Sequence, residues 1–303
     1  MRVTNSMMVR NMLDHLKNNR GDLNDLNEQL SSGKLFQMPS DAPIKVADSM
    51  NYKSQLNRNS QFQRNLNQAE NWLNTTEGAL KSGTEVMQRA RELTIYAAND
   101  SMTTDDRKMV AKEMKQLRDE LIDISNAKLG DSYIFSGQET GEKPFTLNGD
   151  DTNPDIYVDY QGDKNGIKRR LNENVEMDVS LNGDEVFKDK IDKLNKIYRQ
   201  LENNIPGKDF KGEDIGDNLG ELGNYINDFV EKRSEVGGKL QRTGNIIDRL
   251  EANEVHLRDL KSKNEDADLA EVITELKMEE TVYRASLASG SRIMQQSLVD
   301  FIR

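Results

Sequence analysis

The 303-residue chain contains no cysteine, which removes disulfides, thiolate metal sites and thiol nucleophiles from consideration. It has only two histidines, five prolines, one tryptophan (Trp72) and 6% aromatic residues. Nowhere do the eighteen or so consecutive apolar residues of a membrane span occur. Basic clusters are equally scarce: Lys168-Arg169-Arg170 is the densest run, acids flank it, and the net charge is −11. Releasing counterions from a phosphate backbone, or holding an anionic bilayer, takes clustered positive charge. Neither nucleic acid nor a membrane is therefore expected as a partner.

Chemistry-bearing motifs are missing too. Glycine-rich phosphate loops, dinucleotide fingerprints and nucleophile elbows do not occur. His15 and His256 lie on separate helical stretches with no His-x-x-x-His spacing, so no metal ligand is expected of them. Asp151-Thr152-Asn153-Pro154-Asp155 starts like a calcium loop, but Ile156 replaces the turn glycine and Gly162 the bidentate glutamate. Acidic pairs such as Asp105-Asp106 and Glu279-Glu280 read as helix caps and solvated faces. No catalytic residue, metal or cofactor is expected, and the chain does not read as an enzyme.

What the chain has is helical periodicity. With 35% hydrophobic and 31% charged residues, its composition suits long, thin helices. The series Phe62, Leu66, Ala69, Leu73, Thr76, Leu80 continues through Gly83, Met87, Ala90, Thr94 and Ala97 in alternating steps of three and four. A helix from Ile44 to Ala98 would extend roughly 80 Å. Ile215, Leu219, Leu222, Ile226, Phe229, Val236, Leu240, Ile247, Leu250 and Leu257 repeat the pattern, so the two rods should pack side by side. A third helix is expected after Thr103-Thr104-Asp105-Asp106 and ends before Gly130. A fourth follows Gly183-Asp184, with Phe187, Ile191, Leu194, Tyr198 and Leu201 inward, and stops at Pro206-Gly207. Gly237-Gly238 interrupts the second rod, as a local loosening or a point of close helix approach.

Between Gly130 and Gly183 the period drops to two. Residues 156–160 and 175–181 alternate like half-exposed strands, and Asn148-Gly149, Asn165-Gly166 and Asn182-Gly183 are hairpin-type turn pairs. The fold expected is mainly α with a small β insert: a long antiparallel helical rod whose N- and C-terminal coiled-coil helices pair. Three domains follow: 1–40 with 264–303, 41–139 with 183–263, and the insert 140–182.

Both chain ends carry coiled-coil seams. Met12, Leu16, Leu23, Leu26 and Leu30 form one, broken by Asn19. Leu269, Ile273, Leu276, Tyr283, Leu287, Met294 and Phe301 form the other, with Glu280, Gly290 and Ser297 interrupting. Such seams bury little until a partner helix covers them. Each is expected to cover the other and to serve as an assembly seam between copies.

Particular stretches carry a family resemblance. Leu30-Ser31-Ser32-Gly33-Lys34 followed by Pro39-Ser40-Asp41-Ala42-Pro43, then Gln88-Arg89-Ala90-Arg91-Glu92-Leu93, and Glu265-Asp266-Ala267-Asp268-Leu269-Ala270 resemble the flagellin superfamily. Tyr133-Ile134-Phe135-Ser136-Gly137 with Pro144-Phe145 is similar to its hook-associated protein 3 family. The resemblance implies a structural adaptor between flagellar hook and filament, assembled as a ring of self-associating subunits. Implied partners are hook-associated protein 1 on the hook side, flagellin on the filament side and a flagellar export chaperone. It also implies an extracellular location reached without a cleaved signal peptide, consistent with Arg2, Arg10, Asp14 and Lys17 breaking any signal core. Arg89, Glu92 and Leu93 stand where some flagellins present a rod surface to an immune receptor. The alternative within the class is a minor flagellin along the filament; outside it, an intracellular coiled-coil binding module.

Overall fold

A computed structural model describes residues 5–99, 102–148, 157–173, 175–202 and 212–301. The fold is mainly α with small antiparallel strand pairs. The helices are α1 (Asn5–Ser32), α2 (Pro43–Ala97), α3 (Thr104–Ser125), α4 (Asp189–Glu202), α5 (Gly212–Glu265) and α6 (Leu269–Phe301). Contacts divide the chain into a terminal unit, residues 1–58 with 252–303, and a central unit, residues 59–251. No described helix is long and apolar enough to cross a membrane.

In the central unit α2 and α5 run antiparallel. The Asn59 side-chain amide donates to the Leu250 carbonyl at 2.8 Å, and the Arg233 guanidinium donates to Glu77 at 2.7 Å. The α2 series expected from periodicity is inward: Leu66, Ala69, Leu73, Leu80, Met87, Ala90 and Ala97 are buried, and Phe62 is half-buried. Its polar members do not break the seam. The Thr76 and Thr94 hydroxyls donate to the carbonyls of Trp72 and Ala90, one turn back, so both are satisfied. Gly83 faces Phe229 so closely that a Cβ there would lie 3.2 Å from the ring.

Helix α3 starts as its sequence predicts. Thr103 accepts from the Asp106 amide at 3.2 Å, and the Asp106 carboxylate accepts from the Thr103 amide, closing a capping box. Gly130 sits beyond the helix end at Ser125, at φ +61 in the tight turn between β1 (Lys128–Leu129) and β2 (Ser132–Tyr133).

The insert is made of hairpins. β3 (Phe145–Asn148) pairs antiparallel with β4 (Tyr157–Tyr160), and β5 (Lys168–Asn172) with β6 (Val175–Asp178). β5 was not legible as a strand, and the densest basic run lies on it with Lys168, Arg169 and Arg170 exposed. Asn182-Gly183, expected as a hairpin turn, instead starts a helix. The Asn182 side chain accepts from the Asp184 amide at 3.0 Å, and a π-helical turn, Asp184–Lys188, leads into α4. The calcium-like run 151–156 and Pro206-Gly207 lie outside the described residues.

That π turn carries Phe187 into an aromatic cluster. Its ring centroid lies 4.7 Å from Phe135, 6.2 Å from Phe145 and 5.5 Å from Phe229 on α5. Tyr160 packs at a tilt against Phe145, with centroids 5.1 Å apart, and donates its hydroxyl to the Phe135 carbonyl at 2.9 Å. Burial, then the charge of Asp184, pushes the Tyr160 phenol up to about 12, so it stays a donor throughout the physiological range. A Cβ on Gly183 would lie 2.6 Å from the Phe135 carbonyl oxygen, which explains the glycine. Gly137 has two reasons: φ is +68, and a Cβ would strike the Asp163 carbonyl.

The two glycines in the middle of α5 behave differently. Gly237 and Gly238 are exposed, and a Cβ on either would meet nothing within 4 Å. Close helix approach within the chain therefore does not account for them. Gly237→Ala and Gly238→Ala should each stabilise the central unit by about 0.5–1 kcal/mol. The only tryptophan, Trp72, is in that unit, so its fluorescence during denaturant unfolding measures the change.

Candidate assembly interface

The terminal unit pairs α1 with α6, antiparallel. Lys34 and Asp266 form an antiparallel bridge at one end of the contact, and Met12 lies against Gly290 towards the other. On α1 the inward face is the seam read from sequence: Met12, Leu16, Leu23, Leu26 and Leu30, with Asn19 among them, all only half-buried.

On α6 the inward face keeps positions 276, 283 and 290 of the apolar series but takes Val272, Glu279 and Ser286 where that series has Ile273, Glu280 and Leu287. Val272, Leu276, Glu279, Tyr283, Ser286 and Gly290 keep the three-four spacing and face α1. Leu276 and Tyr283 belong to both series. Leu269, Ile273 and Leu287 instead stay exposed, at 47, 41 and 46%. The end of the Met12 side chain fills the space beside Gly290, where a Cβ would collide with it, so the two helices touch there. Met294 and Phe301 lie on α6, but their side chains are outside the described residues. Val272, 4% exposed, was missed because the sequence series was anchored on Leu269.

A burial this shallow has an energetic consequence. Fully burying a leucine is worth about 1.5–3 kcal/mol, and no α1 seam residue reaches full burial. A two-helix pair with apolar side chains still outside is stabilised by whatever covers it.

Glu265 ties the pair to the helices beside it. Its carboxylate, 3% exposed, is met by Lys53 at 3.0 Å, Lys34 at 3.2 Å and Lys261 at 3.6 Å. Burial pushes its pKa up. The hydrogen bonds from Lys53 and Lys34, with the charge of Lys261, outweigh that and hold it below the ordinary glutamate value. Its backbone carbonyl accepts from Leu35 at 2.8 Å, and the Gly33 carbonyl accepts from Ala267 at 3.0 Å. Gly33, at φ +68, ends α1 in the left-handed conformation that glycine favours. The segment after it is a tight loop. Asp41 accepts from the amides of Met38 and Gln37, and these, with Ser40, lower its pKa; the Met38 bond counts most.

The central unit carries a second surface, on α2 and α3. Arg89 donates to Glu113 at 2.7 Å and to Glu92 at 3.0 Å, and the Glu113 bonds foremost raise its pKa. Arg89 and Glu92 are exposed, but Leu93 is buried at 5% and belongs to the core. A partner reaching this groove of about 490 Å³ would meet Arg89, Glu92, Tyr96 and Met109 before Leu93.

Comparison with known proteins agrees with this architecture. The bacterial flagellin N-terminal helical region matches residues 3–140. Flagellar hook-associated protein 3 of Salmonella typhimurium is 24% identical over the full length of both chains. That of Escherichia coli is 28% identical over 62% of this chain and 57% of its own. The fold is similar to that of FlgL from Bacillus cereus, with a TM-score of 0.59, 23% identity, and coverage of 70% of this chain and 99% of the other. The chain is thus similar over residues 3–140 to the bacterial flagellin N-terminal helical region and, along its whole length, to a flagellar hook-associated protein 3.

Proposed function

We propose that the chain is a structural adaptor of the bacterial flagellum that joins hook to filament. It is exported and assembled extracellularly as a ring at the hook tip. The observation that carries this is the full-length similarity to a hook-associated protein 3, insert included. The half-covered α1/α6 pair supports self-association, because its apolar flanks need neighbouring copies. Hook-associated protein 1 is the neighbour on the hook side and flagellin on the filament side. A flagellar export chaperone holds the chain before export. The work is mechanical and involves no catalytic step.

In a strain lacking the gene, hooks should form normally while flagellin is lost to the medium, and the full chain should restore filaments. Normal filaments in the deletion strain would end the proposal. The flagellin N-terminal match favours one second reading, a minor flagellin along the filament. Antibody decoration separates the two: one band at the filament base marks an adaptor, continuous decoration a flagellin.

A further inference from the structure

The α1/α6 pair has two unlike flanks. With the inward residues as heptad positions a and d, positions e and b lie on one side of each helix and g and c on the other. In an antiparallel pair the e/b sides of both helices face the same way.

The e/b flank is basic. Its charged residues are Arg10, Lys17, Arg20, Lys277 and Arg284, against Glu280. Exposed Leu13, Ile273 and Leu287 stand among them. The g/c flank is acidic, with Asp22, Asp25, Glu271 and Glu275 against Arg292 near its far end. Its apolar residues are Met8, Met278 and Val282, and a groove of about 540 Å³ opens there beside His15, Ser286 and Ser289. All of the charged side chains named are exposed.

We infer that the occupant of the acidic flank is the basic flank of a second copy, so that copies associate heterologously, flank to opposite flank. This rests on the self-associating adaptor proposed above and says which surfaces meet. Charge selects the pairing: basic on basic and acidic on acidic repel, whereas basic on acidic attracts and buries the leucines. The apolar residues agree with the charges in register. Sliding one copy by about eight residues, roughly 12 Å at 1.5 Å per residue, brings Lys17, Arg284 and Lys277 level with Asp25, Glu275 and Glu271. The same shift brings Leu287 level with Met278, and Leu13 level with Val282 of the adjoining helix. A contact between opposite flanks leaves a free flank on every outer copy, which propagates into a ring or helix instead of stopping at a dimer.

The absence of cysteine makes the test free of background. Full-length Leu13→Cys, Val282→Cys and the double variant are expressed in cells lacking the native chain, and isolated flagella are oxidised. The double variant should give a ladder of cross-linked species, and neither single variant should give a dimer. Adding Lys17→Glu, Lys277→Glu and Arg284→Glu to the double variant should weaken the ladder at least tenfold. Adding Asp22→Lys, Glu271→Lys and Glu275→Lys as well should restore it, which a misfolded chain could not do. Dimers from Leu13→Cys alone, a ladder indifferent to charge reversal, failure of the compensating set, or no ladder in flagella that do assemble would each overturn the inference. Failure of the unaltered chain to support filaments would instead count against the adaptor.

Discussion

Phe187→Ala should cost the central unit about 3–5 kcal/mol, the usual range for deleting a fully buried phenylalanine. Phe187 has no exposed surface and touches rings from three separate parts of the chain. Nothing nearby can fill the space. Phe135 is pinned from the other side: its carbonyl accepts hydrogen bonds from Tyr160 and from the Gly183 amide. For a unit of this size the loss corresponds to a fall in Tm of roughly 10 °C. Trp72 reports it, because the only tryptophan lies in the same unit. Leu147→Ala serves as the control, since Leu147 is exposed on β3 and should shift Tm little. A fall for Phe187→Ala no larger than the control's would mean that the aromatic cluster does not hold the insert in place.

The second large effect is expected at Glu265. Glu265→Gln keeps the shape but removes the charge that gathers Lys34, Lys53 and Lys261. Charge-assisted hydrogen bonds contribute about 1.5–3 kcal/mol each, discounted here because the lysines are partly exposed, so a loss of about 2 kcal/mol is expected. The terminal unit, with its thin core, should feel this strongly. The pH dependence has a definite sign. Because the folded pKa is depressed, the carboxylate's contribution is fully present above the ordinary glutamate pKa, near 4.3, and is lost as pH falls through the lower folded value. Hydrogen exchange on α1 and α6 should therefore quicken in the variant at pH 7. In the unaltered chain the corresponding loss should come only on acidification below about pH 4. Equal protection of the two chains at pH 7 would remove Glu265 as the tie.

How much of this was legible beforehand depended on what each feature rests on. The α2 seam from Leu66 to Ala97 was legible because burial along a long helix follows a single period, and its threonines satisfy themselves on their own backbone. The α1 seam was legible for the same reason. The α6 face was legible only in alternate members: Leu276, Tyr283 and Gly290 lie on it, whereas apolar content pointed to Ile273 and Leu287 and the helix turns Val272 and Ser286 inward instead. Strand β5 was missed because Lys168-Arg169-Arg170 has no alternation. Neither the Phe187 cluster nor the Glu265 tie could be read locally, since their members are separated by scores of residues. The unlike flanks of α1 and α6, by contrast, were present in the sequence and became readable once the inward face was known.

Joining Lys34 to Glu265 has a kinetic side, since 231 positions separate them. Closing a flexible loop of that length costs about 4.8 kcal/mol of chain entropy. Once the central unit has formed, Asn59 and Leu250 are already hydrogen-bonded, and only roughly 40 residues of slack remain between the same two points. The closure then costs about 1.6 kcal/mol less. The α1/α6 pair is thus the natural last step of folding, and it can be taken only by a chain in which both outer segments are present. In effect the pair proofreads its own polypeptide: a copy truncated at either side retains a central unit but has no flanks to offer its neighbours.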